Sequence, residues 1–123
     1  MVASSLSGDH IPPGIVQEHA YSLIGLYNIN GVRLCKLRNP WGKTEYSGMY
    51  SETSNLWTPE LKKAVGFSTG EDGIFFLTAT ELHTTMPCIT ISMFRDDYEY
   101  SYVEMHSKSS EYTYFIVNIK KRG

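Results

Sequence analysis

Apolar and polar residues alternate along two consecutive stretches, Val16 to Asn28 and Val32 to Asn39, with Asn30-Gly31 between them. Alternation with a period of two marks a strand that buries one face. Asn-Gly between two such runs predicts a tight hairpin, because both residue types tolerate positive φ. Residues 1–14 are Ser-rich, end in Pro12-Pro13-Gly14, and read as a loose start. Residues 40–57 are dense in turn formers. Thr58-Pro59 then opens a short helix, with Thr58 as N-cap, Pro59 at the first helical position, Leu61, Ala64 and Val65 on one face, and Gly66 as stop. The run Ile74-Phe75-Phe76-Leu77 reads as a buried strand. Thr78-x-x-Glu81 matches a capping box for a second short helix that ends near Met86-Pro87. Three more strand-like runs follow, Cys88 to Phe94, Tyr98 to Met105 and Tyr112 to Ile119. The pattern is α+β and strand-rich, without the regular βα alternation of a doubly wound sheet.

Composition narrows the function classes. A chain of 123 residues with 41% hydrophobic and 20% charged residues suits one modest globular core. A net charge of −2 gives no electrostatic reason to expect nucleic acid or an anionic membrane as partner. The one basic cluster, Lys120-Lys121-Arg122, reads as a solvated end. No apolar run is long enough for a membrane span, and no signal-peptide layout follows Met1. Cys35 and Cys88, both in apolar sequence, read as buried free thiols, which points to a reducing, cytoplasmic setting.

The hairpin carries a chemically suggestive pair, His19 near the start of one strand and Asn39 at the end of the next. An imidazole acting as a base needs one nitrogen free and the other held, and an asparagine carbonyl is a suitable uncharged holder. Register decides whether they meet. A two-residue loop at Asn30-Gly31 sets Ser22 opposite Asn39 and turns His19 to the other face. A three-residue loop, Ile29-Asn30-Gly31, sets Tyr21 opposite Asn39 and brings His19 diagonally onto the same face, within about 8 Å. The expectation is this second register, or another odd-length or bulged equivalent.

The stretches GIVQEHAYSLIG, LCKLRNPWGKTEYSGMYSETSNLWTPELK and EDGIFFLT, in this order, resemble the second half of the calpain protease core. That family has a His-Ala-Tyr-Ser strand, an Arg-Asn-Pro-Trp strand end, a Glu-Trp-x-Gly segment and an Asp-Gly-x-Phe-Trp strand. The resemblance runs from about Gly14 to about Met86. It implies the His/Asn subdomain of a papain-like fold, an antiparallel sheet or half-barrel with short helices. It further implies that His19 is the general base, Asn39 its orienting partner, and Trp41 the indole that shields their bond. Trp57 and Phe76 fall on core positions. Glu18 stands where many calpains have glycine, and strand alternation would aim its side chain away from His19. Tyr46 and Phe76 replace tryptophans common in the family.

The nucleophile is the missing part. Papain-like cysteines lie about 130–150 residues before the histidine, whereas eighteen residues, none of them cysteine, precede His19. Neither Cys35 nor Cys88 resembles the Gly-x-Cys-Trp helix start that activates the calpain thiol. The resemblance therefore implies the His/Asn part of a calcium-dependent cysteine endopeptidase acting on proteins. This part would be inactive alone and would need the Cys-bearing subdomain as its partner. Residues 1–14 are then the loose segment, 15–110 the subdomain, and 111–123 a strand and basic end where a following β domain begins. The resemblance also implies a calcium site from Glu45, Glu52, Asp72 and the carbonyl of Gly70, with Ile74 replacing one family carboxylate. No EF-hand pattern occurs. The alternative is a non-catalytic calpain-like module that binds calcium or a partner.

Overall fold

The computed structural model describes residues 1–43, 46–92 and 96. The chain divides into two compact units, Met1–Met93 and Phe94–Gly123. The expected strands Tyr98 to Met105 and Tyr112 to Ile119 lie outside the described residues.

The hairpin forms from β2 (Ala20–Ile29) and β3 (Val32–Arg38). Asn30 and Gly31 take φ of 51° and 86°, the two left-handed conformations of a type I′ turn. The loop is therefore two residues, with Ile29 paired to Val32, and the three-residue loop expected from the sequence does not form. The register nonetheless changes further along. Gly25 pairs with Lys36 and Leu23 with Leu37, so Ile24 has no partner and forms a bulge. Beyond it Ser22 pairs with Arg38, and one more step in that register sets Tyr21 opposite Asn39. The bulged equivalent occurs, displaced from the turn into the strand.

Each face of the sheet carries its own core. Tyr27, Ile29, Val32, Leu34 and Phe76 pack with Trp57, Leu61 and Val65 on one side. Tyr21, Leu23, Cys35, Leu37, Phe75 and Leu77 pack with Tyr46, Leu82 and Met86 on the other. β3 is buried on both sides, with Leu34 in the first cluster and Cys35 and Leu37 in the second. Helix α1 (Pro59–Val65) covers the first cluster. The hydroxyl of Thr58 accepts from the Leu61 N–H at 3.2 Å, and Gly66 closes the helix in the left-handed region. Lys36 Nζ donates to the carbonyls of Val65 and Gly66, both at 3.0 Å, and so neutralises the helix end. Helix α2 (Ala79–Thr85) covers the second cluster and begins in the expected Thr78–Glu81 capping box.

Among the described residues, five strands make one antiparallel sheet in the order β4-β3-β2-β1-β5, with β4 at Ile74–Thr78 and β5 at Cys88–Thr90. This is the strand-rich α+β class that the sequence indicates. Two local expectations change. The opening residues supply β1 (Val2–Ser4), inserted between β2 and β5 with Ala3 opposite both Tyr21 and Ile89. Three residues are too few to show a period, and their partners lie far along the chain. Strand β5 is shorter than the expected run to Phe94 and is exposed throughout. Cys88 is therefore exposed rather than buried, because it sits on an edge strand that nothing among the described residues covers.

Deleting Ile24 removes the unpaired position and leaves Leu23 opposite Leu37 and Ser22 opposite Arg38, so Tyr21 and Leu23 should keep their cluster. Leu23→Ala, which keeps the bulge and empties part of that cluster, should cost about 2–5 kcal/mol in urea unfolding. A loss as large on deleting Ile24 would mean that the local twist of the bulge holds the cluster together.

Candidate active site

His19 lies one residue before β2, not within a strand that starts at Val16. The chain turns at residues 17 and 18, and Glu18 has φ of 51°. This corrects the expectation of simple strand alternation at Glu18. The position needs a left-handed backbone, which costs a residue with Cβ about 1–2 kcal/mol and glycine almost nothing. The loop is tied down from both sides. The Val16 N–H donates to the Tyr21 hydroxyl at 2.8 Å. The Ser5 N–H donates to the His19 carbonyl at 2.9 Å, and the Ser5 hydroxyl accepts from the His19 N–H at 3.0 Å. Burial raises the Tyr21 phenol pKa, so the tyrosine stays neutral beside the imidazole.

Asn39 follows β3 and is buried. Its N–H donates to the Gly73 carbonyl at 2.9 Å, and its own carbonyl accepts from the Gly42 N–H at 3.0 Å. Gly73 is obligatory here: its φ is 76°, and a Cβ would sit 2.8 Å from the Asn39 carbonyl oxygen. The Asn39 side chain then faces two groups. Oδ1 lies 3.1 Å from the Trp41 backbone nitrogen and 3.1 Å from His19 Nε2. A backbone N–H can only donate, so the Asn39 atom between them is the oxygen, and Nε2 must carry the ring proton. Nδ1 is left as the basic nitrogen. The Trp41 ring lies 4.2 Å from the imidazole, centroid to centroid, tilted by 43°. Tyr21 meets the same ring edge-on at 4.8 Å. Trp41 is 65% exposed, so its indole covers the histidine on one side and meets solvent on the other. The structure thus brings His19, Asn39 and Trp41 together.

The family profile of calpain family cysteine proteases matches residues 2–93. This chain belongs to the calpain family of cysteine proteases. Among similar proteins, calpain-9 of Rattus norvegicus is 32% identical over 88 residues, 66% of this chain and 13% of that protein. Calpain-7 of Homo sapiens is 35% identical over 75 residues, covering 56% and 9%. The calpain-type cysteine protease DEK1 of Arabidopsis thaliana is 37% identical over 81 residues, covering 62% and 4%. The chain spans only a small part of each relative.

Both cysteines of this calpain-family chain are free. Cys35 is buried among apolar side chains, and desolvation raises its pKa, the opposite of what a nucleophilic thiol needs. Cys88 lies on β5, which β1 separates from β2.

The expected calcium ligands are only partly assembled. Glu45 lies outside the described residues. Glu52 and Gly70 line one open cleft, together with Glu71. The Asp72 carboxylate is engaged within its own loop, accepting from the Ile74 N–H at 2.8 Å and the Ser68 hydroxyl at 3.1 Å. Among the described residues, no group of three or more His, Cys, Asp or Glu is placed to hold a metal ion. Beside this cleft, Tyr46 donates to Glu81 Oε1 at 2.8 Å. The other oxygen of that carboxylate accepts from the Thr78 N–H and hydroxyl, both at 2.8 Å. Burial, and then the Glu81 carboxylate, push the Tyr46 phenol pKa strongly upward.

Ser5 and the demands on Gly73 and Glu18 escape a reading of the sequence alone. Asp72-Gly73 signals a turn but not its contact with Asn39, and Ser5 stands in no recognisable local motif. Glu18→Gly should raise stability by about 0.5–1 kcal/mol, the left-handed penalty less the extra unfolded-state entropy of glycine. Thermal unfolding would check this. A lower midpoint would mean that the Glu18 side chain supplies more than its backbone costs.

Proposed function

We propose that this chain is the His/Asn subdomain of a calpain-type cysteine endopeptidase that cleaves peptide bonds in protein substrates. The bond between His19 Nε2 and Asn39 Oδ1 carries the reading, because it leaves Nδ1 as the free base. The nucleophile comes from a Cys-bearing subdomain of the papain-like core. Its thiol gives a proton to His19 Nδ1, and the sulfur attacks the scissile carbonyl carbon. When the C–N bond breaks, the imidazolium returns that proton to the leaving amine. Water then enters with the imidazole as base, splits the thioester and frees the thiol. Asn39 holds the ring through both transfers without adding charge. Trp41 keeps solvent from that bond. The family match covers residues 2–93; the rest of the subdomain expected to reach 110, apart from residue 96, and the β domain expected to begin over 111–123 lie outside the described residues. Two unpaired thiols fit the cytoplasm.

Regulation by calcium is general in the calpain family. In this chain the ion would be held at the cleft of Glu52 and the Gly70 carbonyl, with Glu45 and Asp72 contributing. It would supply a fixed positive charge that draws the two loops together. Three carboxylates, that of Asp72 already engaged within its own loop, plus one carbonyl fall short of the six to eight oxygens calcium prefers.

The purified chain should hydrolyse no fluorogenic peptide, with or without calcium. In a calpain-type parent carrying both subdomains, replacing the residue equivalent to His19 with alanine should lower kcat/KM by about 10²–10⁴. Activity of the isolated chain that disappears in Cys35→Ala or Cys88→Ala would overturn this assignment of the nucleophile.

Calcium should bind the chain with a Kd of about 10⁻⁴–10⁻³ M, and magnesium more weakly. Calorimetry should show the heat reduced in Glu45→Gln and in Asp72→Asn. The absence of heat at millimolar calcium, or heat unchanged in both variants, removes the site.

A further inference from the structure

The sheet ladder reaches His19 with one bond only, from the Ser5 N–H to the His19 carbonyl. Its pairing with β1 stops at Ser4 opposite Ala20, and the left-handed turn at Glu18 lifts the chain away just before it. The His19 N–H would be left without a strand partner. It donates instead to the hydroxyl of Ser5, at 3.0 Å. That hydroxyl is itself within donating distance of the Val16 carbonyl, at 2.7 Å, and of the His19 carbonyl, at 3.1 Å. A hydroxyl has one proton and two lone pairs. The shorter contact takes the proton, and a lone pair receives the His19 N–H. Ser5 is 6% exposed, so water does not readily substitute for it. The backbone adds two further ties. The Ser5 N–H reaches the His19 carbonyl at 2.9 Å, and the Glu18 N–H reaches the Leu6 carbonyl at 3.4 Å.

We infer that Ser5 is a positioning residue for His19: its hydroxyl fixes the histidine backbone at the end of the left-handed turn, and so fixes the approach of Nε2 to Asn39. Ser5 does not touch the reacting atoms. It replaces the ladder bond that the turn removes, and it links His19 to Val16, whose N–H is in turn held by the Tyr21 hydroxyl. The imidazole is thereby set from its backbone side by Ser5, from its edge by Tyr21, and from Nε2 by Asn39. The inference rests on the proposed His19–Asn39 pair, but it concerns the support of that pair.

The test uses the chain itself and the ¹⁵N and ¹H signals of the His19 ring, at about pH 8.5, well above the ordinary histidine pKa. In the unaltered chain the ring should be the Nε2–H tautomer, with that proton protected from exchange. Ser5→Ala should speed Nε2–H exchange by about three- to tenfold, the factor for one lost hydrogen bond, and mix the tautomers. Ser5→Thr, which keeps the hydroxyl, should restore both signals. Thr85→Val removes another buried hydroxyl, one that donates to the Glu81 carbonyl at 2.7 Å. It should cost stability without moving the His19 signals. If Ser5→Ala fails to fold, Ser5→Cys keeps the size and weakens the bond, and it should shift the signals in the same direction. His19 signals unchanged in a folded Ser5 variant overturn the inference. So do signals displaced equally by Thr85→Val, since general loosening would then explain them. Asn39→Ala separates the two readings: if it leaves the tautomer unchanged, the His19–Asn39 pair is what fails; if it mixes the tautomers while Ser5→Ala does not, only the role of Ser5 fails.

Discussion

One unpaired residue in β2, Ile24, lets a single strand serve two cores. Toward the turn, Tyr27 and Ile29 pack with Leu34 and α1; beyond the bulge, Tyr21 and Leu23 pack with Leu37, Phe75 and α2. Side chains alternate strictly along a strand, so odd-numbered residues cannot change faces without an inserted position. The bulge supplies it and adds local twist. It also delivers Tyr21 to the place opposite Asn39, and with Tyr21 the loop that carries His19. Core packing and site geometry are therefore one constraint. The burial of Tyr21 and Leu23 selects the register that brings His19 to Asn39.

The site combines stabilised and costly elements. Asn39 is over-determined: its backbone is held from both sides by Gly73 and Gly42, and its side-chain Oδ1 accepts from the Trp41 N–H as well as from His19 Nε2. This fixes the ring tautomer without a charged partner. Glu18, by contrast, holds an unfavourable φ next to the histidine. Such strain persists only where surrounding contacts over-determine the backbone, and the bonds from Ser5 and Leu6 do so here. Tyr46 plays a comparable role at a distance. Its hydroxyl joins the loop after Asn-Pro-Trp-Gly to the capping box of α2, so the loop and the helix start share one carboxylate.

Elements whose signals are local are legible in the order of the residues. The Asn30-Gly31 turn, the Thr58-Pro59 and Gly66 ends of α1, and the Thr78–Glu81 box each depend on residues within a few positions of one another. Their hydrogen bonds close inside that window, and no distant partner can change them. The order of the His-Ala-Tyr, Asn-Pro-Trp-Gly and Asp-Gly-x-Phe stretches was equally legible and led to the family. Tertiary structure alone decided where the register slips, because moving the bulge from Gly31 to Ile24 depends on which face each core offers. It also decided that Val2–Ser4 is a strand, since its partners Ser22 and Thr90 are remote in sequence. The left-handed Glu18, the contact that forbids a side chain at Gly73, the exposure of Cys88 on an edge and the grip of Ser5 on His19 are of the same kind. Each is a relation between segments brought together only by folding, and no periodicity within either segment encodes it.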